Sequence, residues 1–353
     1  MTYKYIIPWV MMAQCFILVT TSNTSKVPAI IVFGDSSVDA GNNNFIPTIS
    51  RSNWPPYGRN FPGGKATGRF CNGKIPPDFI SEAFGLKPTV PPYLDPKCDI
   101  SDFADGVSFA SSSSGFDTAT SNLLRVLSTW KQVELYKEYQ KKLRGHVGEK
   151  KADYIISEAL YVISMGTNDF LSNYYLNPLV QVRYSIDQYQ NFIIGIVENL
   201  LRELHNLGAR KISIVGLPPM GCLPFERSTN IFRLKGDTCV EEYNMVAMSF
   251  NSQLNTLLQK LNKEVPGIRL VYANSYDLLW DYIHDPAKYG FENTGRACCA
   301  TGRFELSFLC NELDPTTCQD ASKFVFWDSF HPTEKTNRLI AETLAKTGLK
   351  QFF

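Results

Sequence analysis

Five short, mostly apolar runs, separated by longer stretches of helical periodicity, are the feature that most restricts the fold of this chain. The runs occupy residues 29–33, 106–110, 160–165, 211–215 and 268–272. Runs of this kind are typical of strands buried in a parallel sheet. Helical patterns occupy residues 78–84, 123–143, 184–207, 239–261 and 332–347. Because strands alternate with helices, the sequence predicts a three-layer α/β/α sandwich around a five-stranded parallel sheet.

Between the first strand and the first helix lies a polar stretch, residues 39–77, that is rich in Gly, Asn and Pro. This composition predicts a long ordered loop, and long loops beside a strand end are often functional. The composition does not shift anywhere along the chain, and 44% hydrophobic with 20% charged residues is typical of a globular protein. We therefore expect residues 26–353 to form a single domain.

The first 25 residues have the pattern of a secretory signal peptide. Lys4 precedes an apolar stretch over residues 6–19, and small polar residues follow at 20–25. The apolar stretch is short for a membrane span, although a retained membrane anchor is the alternative. We expect a secreted, extracellular protein with no stable membrane insertion once the signal is removed. A glycosylation sequon at Asn23 lies at the expected cleavage point.

Charge and cysteine content restrict the partners and the compartment. The net charge of +1 gives no electrostatic case for nucleic acid as a partner. Eight cysteines lie beyond the expected signal peptide, and an even number in an exported chain predicts disulfides. Proximity favours pairing of Cys222 with Cys239 and pairing among the last four cysteines, but the connectivity stays open. A zinc site is the alternative, although paired C-x-x-C spacing is missing.

Two polar sites at opposite ends of the chain carry groups suited to nucleophilic catalysis. Ser36 follows the first predicted strand, where an open α/β sheet exposes side chains to ligands. Asp328 and His331 are three residues apart, so the carboxylate can fix the imidazole tautomer and leave Nε2 as a base. Either site alone is also consistent with an ordinary turn or helix cap. Asn168 follows the third strand and is expected at the same edge of the sheet.

Four blocks in this order resemble the plant GDSL esterase/lipases, a branch of the SGNH hydrolases. The blocks are Phe33-Gly34-Asp35-Ser36-Ser37, Gly106-Val107-Ser108-Phe109-Ala110-Ser111, Gly166-Thr167-Asn168-Asp169 and Asp328-Ser329-Phe330-His331-Pro332. Further stretches, such as Pro56-Tyr57-Gly58-Arg59, also resemble the family. The resemblance implies the flavodoxin-like SGNH fold, with Ser36 as nucleophile, His331 as general base and Asp328 as its orienter.

The resemblance also implies an oxyanion hole made of the Ser36 and Ser112 backbone N–H groups and the Asn168 side chain. Ser112 and Ser113 stand where the family usually has glycine. If the backbone at Ser112 is left-handed, serine there costs roughly 1–2 kcal/mol. A misaimed donor would lower turnover by about 10²–10³.

These features together predict a secreted serine esterase or lipase that hydrolyses small-molecule or lipid esters through an acyl-enzyme. No metal or organic cofactor is expected. Acyl transfer to an alcohol by the same triad is one alternative. A catalytically weak binding protein, suggested by Ser112 and Ser113, is the other.

Overall fold

The five predicted strands form one parallel sheet in the computed structural model, which describes residues 27–232 and 236–353. The strands are β1 (Ile30–Gly34), β2 (Gly106–Ser108), β3 (Leu160–Ser164), β4 (Lys211–Val215) and β5 (Arg269–Ala273). They lie in the order β2-β1-β3-β4-β5. All five residues of β1 are buried, as expected for a strand covered on both faces. The predicted α/β class and five-stranded parallel sheet are confirmed.

Helices cover the sheet on its two faces. Within the described residues they are α1 (Pro76–Ala83), α2 (Thr118–Leu123), α3 (Thr129–Val147), α4 (Glu149–Glu158), α5 (Pro178–Arg183), α6 (Ile186–Asn206), α7 (Pro224–Phe232), α8 (Glu241–Glu264), α9 (Ser275–His284) and α10 (Glu334–Lys346). Right-handed crossovers require α1 on one face and α3, α6 and α8 on the other. The last helix, α10, packs against α1 and so shares its face.

The strand order reverses at β1, and this reversal determines where a ligand can bind. The chain leaves β1 toward β2 on one side, then crosses back to β3 on the other side. Connections that diverge in this way leave a crevice beyond the carboxyl ends of β1 and β3. The loops that follow β1, β2 and β3 carry Ser36, Ser112 and Asn168, respectively, at this edge of the sheet.

Four of the predicted helices begin later than the hydrophobic pattern suggests, and two of them illustrate the reason. The pattern over 123–143 is divided between α2 and α3, because Ser128 caps α3 by accepting a hydrogen bond from the Lys131 N–H. The last helix begins at Glu334, not at Pro332, because the Thr333 hydroxyl caps it. Pro332 instead lies in an extended bridge with Phe326. Local capping therefore decides boundaries that apolar periodicity cannot resolve.

A second, two-stranded parallel sheet, β6 (Asn293–Ala297) and β7 (Phe324–Phe326), was not predicted. Its strands are short, and β6 is half-exposed and contains Gly, Arg and Asn, so no apolar run marks it. The strand β7 leads directly into Asp328 and His331. This small sheet therefore anchors the C-terminal polar site beside the main sheet.

Three disulfides are formed within the described residues. Cys222 pairs with Cys239, as predicted. The last four cysteines pair among themselves, Cys298 with Cys318 and Cys299 with Cys310. Cys71 and Cys98 are free, so the prediction of disulfides holds for six of the eight cysteines beyond residue 25. The zinc alternative is wrong for the other six cysteines, because their sulfur atoms are already bonded to one another.

The stretch 39–77 is a long ordered loop, as predicted. Before α1 begins at Pro76, its one regular segment is a short 3₁₀ turn, Asn42–Phe45. The Asn42 amide donates to the carbonyl oxygens of Ser108 and Ala110, both at 2.8 Å. Farther along, the buried Arg69 guanidinium binds both oxygens of the buried Asp78 carboxylate, at 2.9 and 2.8 Å. These bonds replace regular secondary structure in holding the loop over the end of the sheet.

The expected signal peptide at 1–25 and the Asn23 sequon lie outside the described residues. Across 27–232 and 236–353, no helix combines the length and the apolar character that crossing a bilayer requires.

Candidate active site

Ser36 lies in a tight turn at the carboxyl end of β1. The turn begins at Gly34, where a side chain is impossible because a Cβ atom would lie 2.2 Å from the Ser164 carbonyl oxygen. The Asp35 N–H then donates to that same carbonyl at 3.0 Å. This bond continues the hydrogen bonding between β1 and β3 one residue beyond the end of β1. Ser36 is partly exposed, and its side chain lines a cavity at this edge.

His331 and Asp328 form a closed turn directly after β7. The Asp328 Oδ1 atom accepts from the backbone N–H groups of Phe330 and His331 at 2.9 and 2.8 Å. The imidazole Nδ1 lies 2.8 Å from both carboxylate oxygens. Because a carboxylate can only accept, Nδ1 carries the proton and Nε2 is left as an acceptor.

The structure brings Ser36 into contact with His331. The Ser36 Oγ atom lies 2.7 Å from His331 Nε2, although the two residues are 295 positions apart in the chain. Ser36, His331 and Asp328 therefore form one continuous hydrogen-bonded series. His331 and Asp328 are both buried, with exposed fractions of 8% and 0%, so water has little access to the bonds between them.

Two aromatic residues that the sequence did not mark as part of a site contact this series. The Tyr57 hydroxyl donates to Asp328 Oδ2 at 2.7 Å. The Phe70 ring packs against the His331 imidazole, with ring centroids 4.9 Å apart. Tyr57 lies in the Pro56-Tyr57-Gly58-Arg59 stretch, which resembles the family but carries no motif for a carboxylate partner. Only the folded loop reveals its role.

Asn168 lines the same cavity as Ser36. Its Nδ2 atom donates one hydrogen to the Ser114 carbonyl at 2.9 Å, and a second hydrogen remains on that nitrogen. The next residue, Asp169, is buried and accepts from the Phe116 and Asp117 N–H groups at 2.8 and 3.0 Å. Burial raises the pKa of the Asp169 carboxyl to about 7. This cluster fixes the backbone on which Asn168 is mounted.

The Ser112 backbone N–H is already engaged. It donates to Asp39 Oδ2 at 3.0 Å, and burial raises the pKa of that carboxyl to about 6. The left-handed backbone considered for Ser112 occurs instead at Ser113, with φ of 64°. Among the described residues, the backbone N–H groups of Ser36 and Ser113 have no protein acceptor. Both of these residues line the cavity.

The cavity has a volume of about 420 Å³ and is mostly apolar. The polar side chains that line it include Ser36, Asn168 and His331. The remaining wall is dominated by large apolar side chains: Val38, Ile49, Phe70, Ile80, Leu124, Met165, Leu217, Leu223, Phe225, Phe304, Leu306, Phe308, Leu309, Phe330, Ile340 and Leu344. A few convergent polar groups in an apolar cleft are typical of a small-molecule site. Within the part of the chain that is described, no group of three or more His, Cys, Asp or Glu side chains is arranged to hold a metal ion.

Comparisons with known proteins identify the family of this chain. The family model described as GDSL-like Lipase/Acylhydrolase matches residues 30–344. Three Arabidopsis thaliana proteins, each named GDSL esterase/lipase, are similar to this chain. One is 55% identical over 333 residues, covering 94% of this chain and 95% of its own. The other two are each 53% identical, covering 96% and 98% of this chain and 97% and 98% of their own. The chain therefore belongs to the GDSL-like lipase/acylhydrolase family and is a carboxylic ester hydrolase.

Proposed function

We propose that this protein is a secreted serine esterase that hydrolyses acyl or lipid esters, with Ser36 as nucleophile, His331 as general base and Asp328 as its orienter. One observation carries the proposal, namely the hydrogen-bonded series from Ser36 Oγ through His331 to Asp328, at 2.7 and 2.8 Å. A serine hydroxyl needs an adjacent base to act as a nucleophile, and that base needs a partner that fixes its tautomer.

In the first half of the reaction, His331 Nε2 takes the Ser36 proton while Oγ attacks the ester carbonyl carbon. Asp328 stabilises the imidazolium that results and keeps the ring in position. The tetrahedral intermediate collapses, and the imidazolium gives its proton to the departing alcohol. In the second half, His331 activates a water that attacks the acyl-enzyme, which releases the acid and restores Ser36.

Donors for the oxyanion are available beside Ser36. The unused Ser36 N–H and the second hydrogen on Asn168 Nδ2 are two of the proposed donors. The family resemblance assigns the third position to Ser112. Its N–H would share its hydrogen between the Asp39 carboxylate and the oxyanion, whereas the neighbouring Ser113 N–H is unused. We therefore assign the third position to the Ser112–Ser113 turn.

The apolar wall of the cavity supports an acyl chain as the part of the substrate that it holds. Burying apolar surface is favourable by about 25 cal/mol per Å², whereas a polar group placed against the same wall loses its hydrogen bonds to water. Secretion is supported by the signal-like first 25 residues and by three disulfides, since disulfides persist in oxidising compartments.

The test is hydrolysis of p-nitrophenyl butyrate by the protein purified from a secretory host. We expect Ser36→Ala to lower kcat by about 10⁴-fold or more. Ser37→Ala is the matched control, because it removes a neighbouring hydroxyl that contacts Asp35 and Ser164 but not His331. Equal turnover by the parent protein and Ser36→Ala would refute the proposal.

Two further measurements separate the alternatives. A fluorophosphonate probe labels an activated serine, so a parent protein that stays unlabelled would indicate the catalytically weak binding protein. Product analysis in the presence of an alcohol separates hydrolysis from acyl transfer. We expect free acid as the main product, and an ester of the added alcohol in excess would indicate a transferase.

A further inference from the structure

Four large apolar side chains are exposed around the mouth of the cavity. They are Ile49, Leu124, Phe308 and Leu309, with exposed fractions of 67%, 37%, 58% and 50%. All four also line the cavity that contains Ser36. We call these four residues the apolar rim. Scattered single apolar residues are normal on a protein surface, but a group that is continuous with a binding cavity indicates an interaction site.

Hydrogen bonds to backbone carbonyl oxygens and one disulfide hold the segments that carry the apolar rim. The Thr48 hydroxyl donates to the Leu124 carbonyl oxygen at 2.7 Å, and this bond joins the segment that contains Ile49 to the segment that contains Leu124. The Ser307 hydroxyl donates to the Ile49 carbonyl oxygen at 3.2 Å, and this bond joins the segment that contains Phe308 and Leu309 to the segment that contains Ile49. Directly after Leu309, Cys310 is bonded to Cys299. The four exposed side chains therefore lie on segments that are cross-linked to one another or to the rest of the chain.

We propose that the apolar rim docks the enzyme on the surface of a neutral, water-insoluble long-chain ester, such as a triacylglycerol droplet, so that one acyl chain passes directly into the cavity. This inference rests on the proposed function. It names the physical form in which the substrate reaches Ser36.

The position of the apolar rim favours a lipid surface over a protein partner. A protein that covered these residues would close the route to Ser36, whereas a lipid phase supplies substrate through the face that it contacts. The net charge of +1 offers no general attraction to an anionic bilayer. Apolar contact with a neutral ester phase is then the remaining source of binding energy.

A second exposed apolar group provides a matched control. Leu179 and Val182 on α5 are even more exposed, at 79% and 87%, and neither lines the cavity. If exposed apolar area alone controls binding, changes at α5 and at the apolar rim will have equal effects. If the mouth of the cavity is the docking surface, only changes at the apolar rim will matter.

The direct test is binding to trioleoylglycerol emulsion droplets by flotation, with Ser36→Ala present in every protein so that no substrate is consumed. We expect Ile49→Glu with Leu309→Glu to weaken droplet binding at least tenfold, or about 1.4 kcal/mol. Leu179→Glu with Val182→Glu should bind within twofold of the parent. Ile49→Ser with Leu309→Ser is the milder second pair, and thermal unfolding checks that each protein is folded.

Three outcomes would overturn the docking proposal. They are a parent that does not bind droplets, a rim pair that binds as well as the parent, and an α5 pair that loses as much binding as the rim pair. Hydrolysis of p-nitrophenyl butyrate by the chain with Ser36 intact tests the proposed function separately. Rim-dependent droplet binding without this hydrolysis would retain the docking surface and refute the reaction proposed for Ser36.

Discussion

The Tyr57 hydroxyl donates to Asp328 Oδ2 at 2.7 Å and accepts the Ser307 N–H at 3.0 Å. Ser307 lies in the loop closed by the Cys299–Cys310 disulfide, so the Tyr57 phenol connects this loop to the Asp328 carboxylate. Burial, with the charge of Asp328 beside it, raises the pKa of Tyr57 well above its usual value. The phenol therefore remains a donor at every pH at which the enzyme would work.

From this contact we expect Tyr57→Phe to lower kcat about tenfold while KM stays nearly unchanged. A hydrogen bond to a charged group contributes about 1.5–3 kcal/mol, and part of that contribution holds the carboxylate in line with the imidazole. A carboxylate that loses a donor also attracts the imidazolium proton more strongly. The acidic limb of the kcat/KM profile should therefore move to higher pH, as measured by steady-state hydrolysis between pH 4 and pH 9.

Tyr139→Phe is the control for this prediction. Tyr139 is also fully buried, and its hydroxyl donates to the Phe103 carbonyl oxygen, but it does not line the cavity. This variant should lose some stability and keep the parent pH profile. If Tyr57→Phe also changes only stability, the phenol has no part in positioning Asp328.

The sequence predicts the two ends of the Ser36–His331–Asp328 series but not the support behind it. Ser36 is marked by the strand that precedes it, and Asp328 and His331 are marked by their three-residue spacing. Tyr57 contacts Asp328 across 271 positions, and Ser307 contacts Tyr57 across 250. Both contacts run between irregular loops, where no hydrophobic period exists that would predict which residues meet.

Asn168 offers a second test, because its amide is the one side-chain donor proposed for the oxyanion. Asn168→Asp keeps the size of the side chain and replaces the donor with a negative charge beside the developing oxyanion. We expect kcat to fall by about 10²–10³ or more, with little change in KM, since the interaction forms in the transition state. Steady-state kinetics on p-nitrophenyl butyrate measures both constants. A rise in KM at constant kcat would assign Asn168 to ground-state binding.

The buried carboxyls beside the site predict an unusual dependence of stability on pH. Burial raises the pKa of Asp169 from 3.8 to about 7, so between these values the folded chain holds a proton that the unfolded chain has lost. The free energy of unfolding should therefore decrease as the pH rises from about 4 to about 7, by on the order of 3 kcal/mol. Asp39, with its pKa raised to about 6, acts in the same direction.

Urea unfolding at pH 5 and pH 8 measures this difference, and Asp169→Asn isolates its source. The amide cannot ionise, so the variant should show a smaller decrease between the two pH values than the parent. Because Asp169 also accepts the Thr120 hydroxyl, the comparison uses the slope with pH and not the absolute stability. Parallel slopes for the two proteins would show that Asp169 does not titrate in this range.

The turn at Ser112 and Ser113 shows how far motif matching extends. The block identifies which residues replace glycine, but not which of them adopts the backbone conformation that favours glycine. The structure assigns that conformation to Ser113 and leaves Ser112 bonded to Asp39. Such a distinction depends on a buried carboxylate from a different loop, so it cannot be derived from the local sequence.

Changing each of these serines to glycine tests the assignment within one turn. Both hydroxyls contact the Ser50 hydroxyl, at 2.8 Å from Ser112 and 2.7 Å from Ser113, so both variants lose a similar hydrogen bond. Both also add a glycine to the unfolded chain, at a similar entropic cost. Only Ser113→Gly relieves a left-handed backbone, so it should be more stable than Ser112→Gly by about 1–2 kcal/mol in urea unfolding. The opposite order would mean that the strain lies at Ser112, and it would return the special backbone position to the residue that the family motif indicates.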